Sequence, residues 1–175
     1  EDVVGISVTG GVDMTLPVGS LVCIDDFLDF TKTRISTFYD GDDDAGVVHV
    51  DVSEAYNPGL RRELLNAAEA IGQQMGDGGV YAGYEGPRFE TPAEFRMCAM
   101  LGATVVGMTG VPEVVLAHEA GLRYAAVSMI VNPAAGLSSE KIDHADVLKV
   151  IETSASNVIN VLDRFVANRA QGVSA

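Results

Sequence analysis

The stretch Glu85-Gly86-Pro87-Arg88-Phe89-Glu90-Thr91-Pro92-Ala93-Glu94 is the most informative part of this chain. It follows the apolar run 79–84, and its Gly-Pro turn brings the ring of Phe89 next to the carboxylate of Glu90. Thr91-Pro92 then predicts the first turn of a helix, where proline fits because its missing N–H would have no partner. The stretch therefore predicts a strand, a turn and a helix. A flat ring beside a fixed acceptor suits a flat heterocycle that carries an N–H.

Apolar runs of β-forming residues alternate with helical spacings on both sides of this turn. Predicted strands cover residues 3–8, 20–25, 79–84, 104–108 and 123–132. Predicted helices cover residues 60–73, 91–101, 112–120 and 143–169. Residues 26–33 are expected to be extended or a loop, and residues 46–52 to be extended. The alternation predicts an α/β fold with a mixed, largely parallel central sheet flanked by helices.

The first predicted strand begins almost at the first residue. Val3-Val4-Gly5-Ile6-Ser7-Val8 is a continuous β-rich apolar run, which predicts a strand buried on both faces of the sheet. A central strand rarely opens a domain with so little polar lead-in. We therefore expect residues 1–175 to form a single domain that is incomplete at its N-terminus, either as part of a longer protein or completed by another chain.

The composition argues against several classes of function. The 175 residues are 47% hydrophobic, and 25 acidic against 11 basic side chains give a net charge of −14. An acidic surface repels nucleic acids and anionic membranes, which both need basic patches. The sequence contains no apolar run of membrane-spanning length and no signal peptide. We therefore expect partners other than nucleic acid or membrane.

Two cysteines and one acidic cluster have simple interpretations. Cys23 and Cys98 are far apart, lie in apolar surroundings and lack metal-ligand spacing, so they are predicted to be buried free thiols in a reducing cytoplasm. The acidic residues within 40–46 lack the Glu that ends a hand-type calcium loop. A solvated loop is therefore favoured there over a calcium site.

The chemistry is expected where the strands end, because ligands of parallel α/β sheets bind at the carboxyl ends of the strands. These ends carry Thr9-Gly10-Gly11, Phe89-Glu90, Met108-Thr109 and Asn132. The set combines a hydroxyl beside glycines, an aromatic ring with an acid, a soft apolar side chain with a hydroxyl, and an amide. It suits a neutral, flat ligand with polar edges better than a metal ion.

Each of these residues also has a purely structural alternative. Phe89 can be a core residue, and Met108 can be simple packing. Glu90 can lie in the first turn of the following helix, where the helix dipole favours a carboxylate. Asn132 can form a turn before its proline, and Thr109 can cap the next helix.

Taken together, these motifs resemble the trimeric purine nucleoside phosphorylases and the methylthioadenosine phosphorylases. The resemblance also runs through Val8-Thr9-Gly10-Gly11, Pro17-Val18-Gly19-Ser20, Phe38-Tyr39-Asp40-Gly41 and Met108-Thr109-Gly110-Val111-Pro112-Glu113-Val114 and into the last helix. The string Met-Thr-Gly-Val-Pro-Glu-Val at this distance after Glu-Gly-Pro-Arg-Phe-Glu-Thr is highly specific.

The resemblance implies a role for eight residues. For the phosphate and the sugar, it implies that the backbone of Val8 and the hydroxyl of Thr109 meet phosphate, that Phe89 faces base and sugar, and that Met108 lies under the ribose. For the base, it implies that Glu90 and Asn132 recognise nitrogen 1 and nitrogen 7 of a 6-oxopurine. It places His144 near the sugar 5′ position and has His49 lent to a neighbouring subunit.

The implied reaction is phosphorolysis of inosine or guanosine to the free base and ribose 1-phosphate, in a homotrimer or a multiple of it. A donor aimed at nitrogen 7 stabilises negative charge only as that charge develops on the leaving purine, so it raises the rate. Inorganic phosphate is the co-substrate, and no metal or other cofactor is implied.

Two features keep alternatives open. The string Glu85-Gly86-Pro87-Arg88-Phe89 looks closer to the methylthioadenosine type, so a phosphorylase of 5′-methylthioadenosine or 5′-methylthioinosine is an alternative. The family's glycine-rich phosphate loop and Arg-x-His phosphate ligands would precede Glu1. A divalent anion binds poorly without a cation, so a non-catalytic purine-binding subunit is a further alternative.

Overall fold

Strands and helices alternate along the chain, as the sequence predicts. A computed structural model describes residues 1–39, 41, 46–133 and 144–172, with the backbone alone for residues 144–147. Within these residues the elements are β1 (Asp2–Gly11), β2 (Leu21–Cys23), β3 (Asp26–Phe30), α1 (Pro58–Ala70), β4 (Met75–Asp77), β5 (Val80–Tyr84), α2 (Pro92–Met100), β6 (Ala103–Gly107), α3 (Glu113–Glu119), β7 (Arg123–Pro133) and α4 (His144–Ala170).

The seven strands form one mixed sheet in the order β3-β5-β6-β1-β7-β2-β4. The pairs β3–β5, β5–β6, β1–β7 and β2–β4 are parallel, whereas β1–β6 and β2–β7 are antiparallel. The predicted mixed, largely parallel sheet is therefore confirmed. Residues 26–30 form a paired strand, which settles the choice between strand and loop there. Residues 46–52 are not part of the sheet.

Local capping explains where the helices begin. The side chain of Asn57 accepts the N–H of Leu60 at 2.9 Å at the start of α1. At the start of α2, Thr91 and Glu94 form a capping box in which each side chain accepts the backbone N–H of the other. Proline occupies the first turn of both helices, as predicted for α2.

The long strand β7 has helices on both of its faces. Its alternate residues Ala125, Val127, Met129 and Val131 pack with α1 and α4, and the intervening Tyr124, Ala126 and Ile130 belong to the core cluster that includes α3. A third cluster joins α2 to β5 and β6. No helix in the described part of the chain is long and apolar enough to cross a membrane.

The first strand differs from its prediction. Ile6 is 44% exposed and Val8 41% exposed, so β1 is not buried on both faces. On the other face the hydroxyls of Ser7 and Ser128 share a hydrogen bond of 2.7 Å. The reason is geometric, because α1 and α4 pack over β7, with α1 also over β2 and β4, and the side chains of Ile6 and Val8 stay exposed beside them. In the described residues β1 pairs with β6 only at Gly10 and Gly11, so its earlier residues form an open edge.

Candidate active site

The strand directions determine where the predicted site residues lie. Because β6 is antiparallel to β1, with Gly10 opposite Val106, the chain leaves β6 beside the middle of β1 and not beside its end. The loop with Met108 and Thr109 therefore follows β6 alongside Val8. Because β1 and β7 run opposite to β5 and β6, the carboxyl ends of these four strands do not lie at one edge of the sheet. Asn132 nevertheless lies in line with the end of β6, because Gly10 of β1 is paired with Val106 on one side and with Asn132 on the other.

The loop of residues 85–91, which we call the β5–α2 loop, presents an aromatic face and hides an acid. Phe89 is 43% exposed, so the core alternative for this ring is wrong. Glu90 is 7% exposed and precedes Thr91, the N-cap of α2, so it lies before the helix and not in its first turn. The carboxylate of that turn is Glu94. The loop therefore keeps the arrangement expected of a site for a flat ring with a polar edge.

In this loop the guanidinium of Arg88 forms its ion pair with Glu94 and not with Glu90. Arg88 donates to both carboxylate oxygens of Glu94 at 2.8 Å, and this pair lowers the pKa of Glu94 to about 2. Burial raises the pKa of Glu90, and among the described residues no other side chain donates a hydrogen bond to it. A hydrogen bond from the backbone of Glu90 itself and the charge of Arg88 partly offset the effect of burial on this pKa, and no buried side-chain oxygen of the described residues lacks a partner. A carboxyl group with a raised pKa next to an exposed ring is typical of functional sites.

The loop of residues 108–112, the β6–α3 loop, is held by a tyrosine that the sequence did not single out. The Tyr81 hydroxyl accepts the N–H of Thr109 at 3.0 Å and that of Gly110 at 3.1 Å. The Thr109 N–H is therefore occupied, and its exposed hydroxyl is the group left open for a ligand. The capping alternative for Thr109 is wrong, because α3 begins without a side-chain cap.

The two loops touch each other through Met108. This side chain is half-buried, and a β-carbon added to Gly86 would lie 2.6 Å from its sulfur. Gly86 also has a φ of +69°, a conformation that favours glycine. Met108 therefore packs between the two loops and can still line the candidate site. Arg34, a second residue that the sequence did not reveal, bonds both loops through their backbone carbonyls.

Asn132 lies near the end of β7, opposite Gly10 of β1. It is half-buried, and its Nδ2 donates to the carbonyl of Pro133 at 2.7 Å. The contact uses one of the two amide hydrogens and leaves one donor for a ligand. Its predicted role toward nitrogen 7 of a purine stays a prediction, since residues 134–143 lie outside the described part.

The structure describes the three histidines to different extents. His49 is exposed in an irregular stretch, compatible with contact to another molecule. Farther along this stretch, the carbonyl of Ala55 lies 2.7 Å from Nε2 of His118, which is part of α3. The backbone of His144 begins α4, but its side chain lies outside the described residues, as do the predicted helix cap Asp143 and most of the acidic cluster.

The prediction that Cys23 and Cys98 are buried free thiols is confirmed. Burial raises the pKa of Cys23 to about 11, so this thiol is inert at neutral pH. In the described ranges, no group of three His, Cys, Asp or Glu side chains is placed to hold a metal ion.

The fold and the site together define a class of protein, which sequence comparison identifies. Residues 1–167 match the family model of the Phosphorylase superfamily, and the chain belongs to this family. The resemblance seen in the motifs is thereby confirmed.

Individual relatives are similar over most of this chain. The chain is 46% identical over 162 residues to a "Probable 6-oxopurine nucleoside phosphorylase" of Moorella thermoacetica, covering 93% of this chain and 62% of that protein. It is 46% identical over 154 residues to a "Probable S-methyl-5'-thioinosine phosphorylase" of Methanopyrus kandleri, covering 88% of this chain and 56% of that protein. The chain thus spans about three fifths of the length of the curated relatives it matches.

A solved structure supports the same fold. Methylthioadenosine phosphorylase from Schistosoma mansoni in complex with adenine superposes with a TM-score of 0.90 at 27% identity. The match covers 97% of this chain and 66% of that one. The nucleoside-phosphorylase-like α/β fold is therefore confirmed.

Proposed function

We propose that this chain forms the purine-binding part of a phosphorylase that cleaves 6-oxopurine nucleosides, releasing the base and ribose 1-phosphate. Such an enzyme is a pentosyltransferase of purine salvage. The observation that carries the proposal is the buried carboxylate of Glu90 beside the exposed ring of Phe89. The names of relatives that are 46% identical to this chain support it.

The chemistry of a 6-oxopurine matches this pair. Hypoxanthine carries an N–H at nitrogen 1, which an ionised Glu90 can accept, whereas adenine offers only a ring acceptor at that position. Its flat face can stack on Phe89. The free amide hydrogen of Asn132 can then donate to nitrogen 7, where negative charge grows as the glycosidic bond breaks. Base recognition and leaving-group stabilisation fall to two separate strand ends.

Phosphate is the proposed co-substrate and nucleophile, with no metal or other cofactor. The oxygen of phosphate attacks the anomeric carbon while the bond to the purine breaks, so the phosphate ends as ribose 1-phosphate and the base leaves with the bonding electrons. The exposed Thr109 hydroxyl and the backbone of Val8 are the proposed phosphate contacts, and Met108 the proposed floor of the ribose site. His144 is proposed to lie near the sugar 5′ position.

We also propose that the assembly is a homotrimer or a multiple of it, in the cytoplasm. In the described part of the irregular stretch between β3 and α1, which contains His49, four large apolar side chains are exposed, namely Ile35, Phe38, Val47 and Val48. Their burial against a second copy would carry His49 toward the neighbouring site. Two buried free thiols are compatible with a reducing compartment.

A second candidate is phosphorolysis of S-methyl-5′-thioinosine, favoured by relatives with that name at 46% and 48% identity. Both candidates share the hypoxanthine base, so Glu90 and Asn132 serve either one. They differ only at the sugar 5′ position.

The test combines binding with turnover. Calorimetric titration of the chain with hypoxanthine and with adenine is expected to show tighter binding of hypoxanthine. Phosphate-dependent release of base is then compared for inosine, S-methyl-5′-thioinosine and methylthioadenosine. Binding of hypoxanthine without turnover would favour the purine-binding subunit, and preference for adenine would contradict the proposed base recognition.

Asn132→Ala tests the catalytic assignment. Loss of a donor to the developing charge is expected to lower turnover about a hundredfold or more, with a smaller effect on binding of free base. Asn66→Ala, on the exposed side of α1, is the matched control and should leave turnover unchanged. Full turnover in Asn132→Ala would remove this residue from the mechanism.

A further inference from the structure

We infer that Arg34 is a positioning residue that fixes the spacing between the β5–α2 loop and the β6–α3 loop and thereby sets the affinity of the site for the purine base. The inference rests on the proposed function only in taking a purine base as the ligand of the two loops. The structural coupling itself stands on the contacts of one side chain.

The Arg34 guanidinium reaches three backbone carbonyls from two loops. Its Nη1 donates to the carbonyl of Val111 at 2.7 Å, and its Nη2 donates to those of Tyr84 and Glu85 at 3.1 and 2.9 Å. Tyr84 ends β5 and Val111 follows β6, and these two strands are neighbours in the sheet. One rigid planar group therefore joins the two chain segments where they leave the sheet.

The segment that carries Arg34 and the β5–α2 loop also bond to each other through the side chain of Glu85. The Glu85 carboxylate accepts the N–H of Lys32 at 2.7 Å and the hydroxyl of Thr33 at 2.6 Å. These hydrogen bonds, with the one from Thr33 first in weight, lower the pKa of Glu85. Residues 32–34 and Glu85 thus hold each other from both directions. The charge of Glu85 is engaged with backbone and hydroxyl donors.

Arg34 differs from Arg61, which is also half-buried and bonds carbonyls but pairs with Asp77 as well. No carboxylate of the described residues lies within ion-pair distance of Arg34, so its donors are spent on neutral carbonyls. Three charge-assisted bonds orient the backbone of the two loops, and the charge of Arg34 adds to the hydrogen bonds that lower the pKa of Glu85. Phe89 and Glu90 follow the carbonyls of Tyr84 and Glu85 along the chain, and Thr109 precedes the carbonyl of Val111. The distance between the two loops therefore decides whether a base stacked on Phe89 can reach the carboxylate of Glu90 while its nucleoside reaches the hydroxyl of Thr109.

The test is the Arg34→Lys substitution, which keeps the charge but replaces the fork by a single ammonium group that cannot hold three carbonyls in this geometry. Arg61→Lys is the matched control. Arg61 also bridges carbonyls, those of Cys23 and Ile24, but these precede β3, away from both loops. Thermal unfolding of both variants measures the purely structural cost.

Calorimetry with hypoxanthine is expected to show affinity reduced about tenfold or more in Arg34→Lys, because small misplacements of binding groups cost this much, and unchanged in Arg61→Lys. Hydrogen exchange is expected to speed up at the amides of both loops in Arg34→Lys alone. Unchanged exchange at either loop would overturn the inference whatever the ligand does. A wild-type chain that binds no hypoxanthine would refute the proposed function instead, and the exchange comparison would still decide the role of Arg34.

Discussion

Two regions of this molecule use charged side chains in opposite ways. At the start of β1 and β7, Asp2 accepts two hydrogen bonds from Arg123 at 2.6 and 2.7 Å and also pairs with Arg169, which in turn pairs with Glu63. At the β5–α2 and β6–α3 loops, Arg34 donates to backbone carbonyls, and the buried Glu90 has no ion-pair partner among the described residues. Opposite charges in contact favour each other's ionised form, whereas a buried carboxyl group with a raised pKa and no ion pair is typical of a functional site.

The largest expected effect comes from adding a methyl group at the end of β6, where the β6–α3 loop begins. A β-carbon added by Gly107→Ala would overlap the Tyr81 hydroxyl and lie 2.8 Å from its Cζ. Because Tyr81 is buried and cannot retreat, we expect a loss of about 3 kcal/mol in the free energy of unfolding. Urea denaturation measures it. Gly76→Ala is the control, since its nearest neighbour would be at 3.7 Å, and an equal loss there would contradict the explanation.

Glu90→Gln separates ligand binding from stability. Loss of a charged acceptor is expected to weaken hypoxanthine binding by about 2 kcal/mol, roughly thirtyfold, as measured by calorimetry. The raised pKa means that the protonated acid contributes stability below the unfolded pKa, and this contribution is lost as pH rises through the folded pKa.

Glutamine cannot ionise, so the variant is expected to unfold at higher temperature than the wild type at neutral pH and equally in acid. A variant that is less stable at neutral pH would show that Glu90 is a structural partner and not a reserved acceptor.

Tyr81→Phe tests the hydroxyl that holds the β6–α3 loop. The ring remains, but the N–H groups of Thr109 and Gly110 lose their acceptor, which is expected to cost about 1.5 kcal/mol of unfolding free energy. Phosphate affinity should fall as well, because Thr109 is no longer held. Tyr39→Phe, whose ring lies outside the loops, serves as the control in both measurements.

Asp2→Asn tests the paired side of the comparison and should have the smallest effect. The hydrogen bond from Arg123, followed by that from Arg169, lowers the pKa of Asp2. Its stability contribution is therefore present above the unfolded pKa and lost as pH falls through the folded pKa. We expect a loss of about 1 kcal/mol at neutral pH that disappears in strong acid, measured as unfolding free energy against pH.

The opposite signs of Asp2→Asn and Glu90→Gln at neutral pH are the sharpest form of the comparison. Two losses would mean that both carboxylates are structural.

Parts of the fold could be predicted because their signals are local. The capping box of Thr91 and Glu94 lies within one helical turn, and the apolar length of β7 reflects its burial between two helix layers. The strand β4 escaped prediction because Met75-Gly76-Asp77 has no alternation and is defined only by its pairing with β2. The antiparallel β1–β6 pair escaped for the same reason, since pairing direction is set by distant residues.

The candidate site likewise contains residues that a local sequence pattern predicts and residues that it does not. Phe89 and Glu90 could be identified because they are adjacent in a motif, and the structure added that one is exposed and the other buried. Arg34 and Tyr81 could not, because their partners are backbone groups 28 to 77 residues away, and a backbone carbonyl or N–H leaves no mark in the sequence.

The open edge of β1 has a consequence for how the chain behaves in solution. Unpaired backbone groups beside the exposed Ile6 and Val8 form a template on which another strand can be added, including that of an identical molecule. A net charge of −14 opposes such self-association by mutual repulsion. Because added electrolyte shortens the range of that repulsion, purification at low ionic strength should keep isolated molecules dispersed, and concentrated salt should drive them to coalesce.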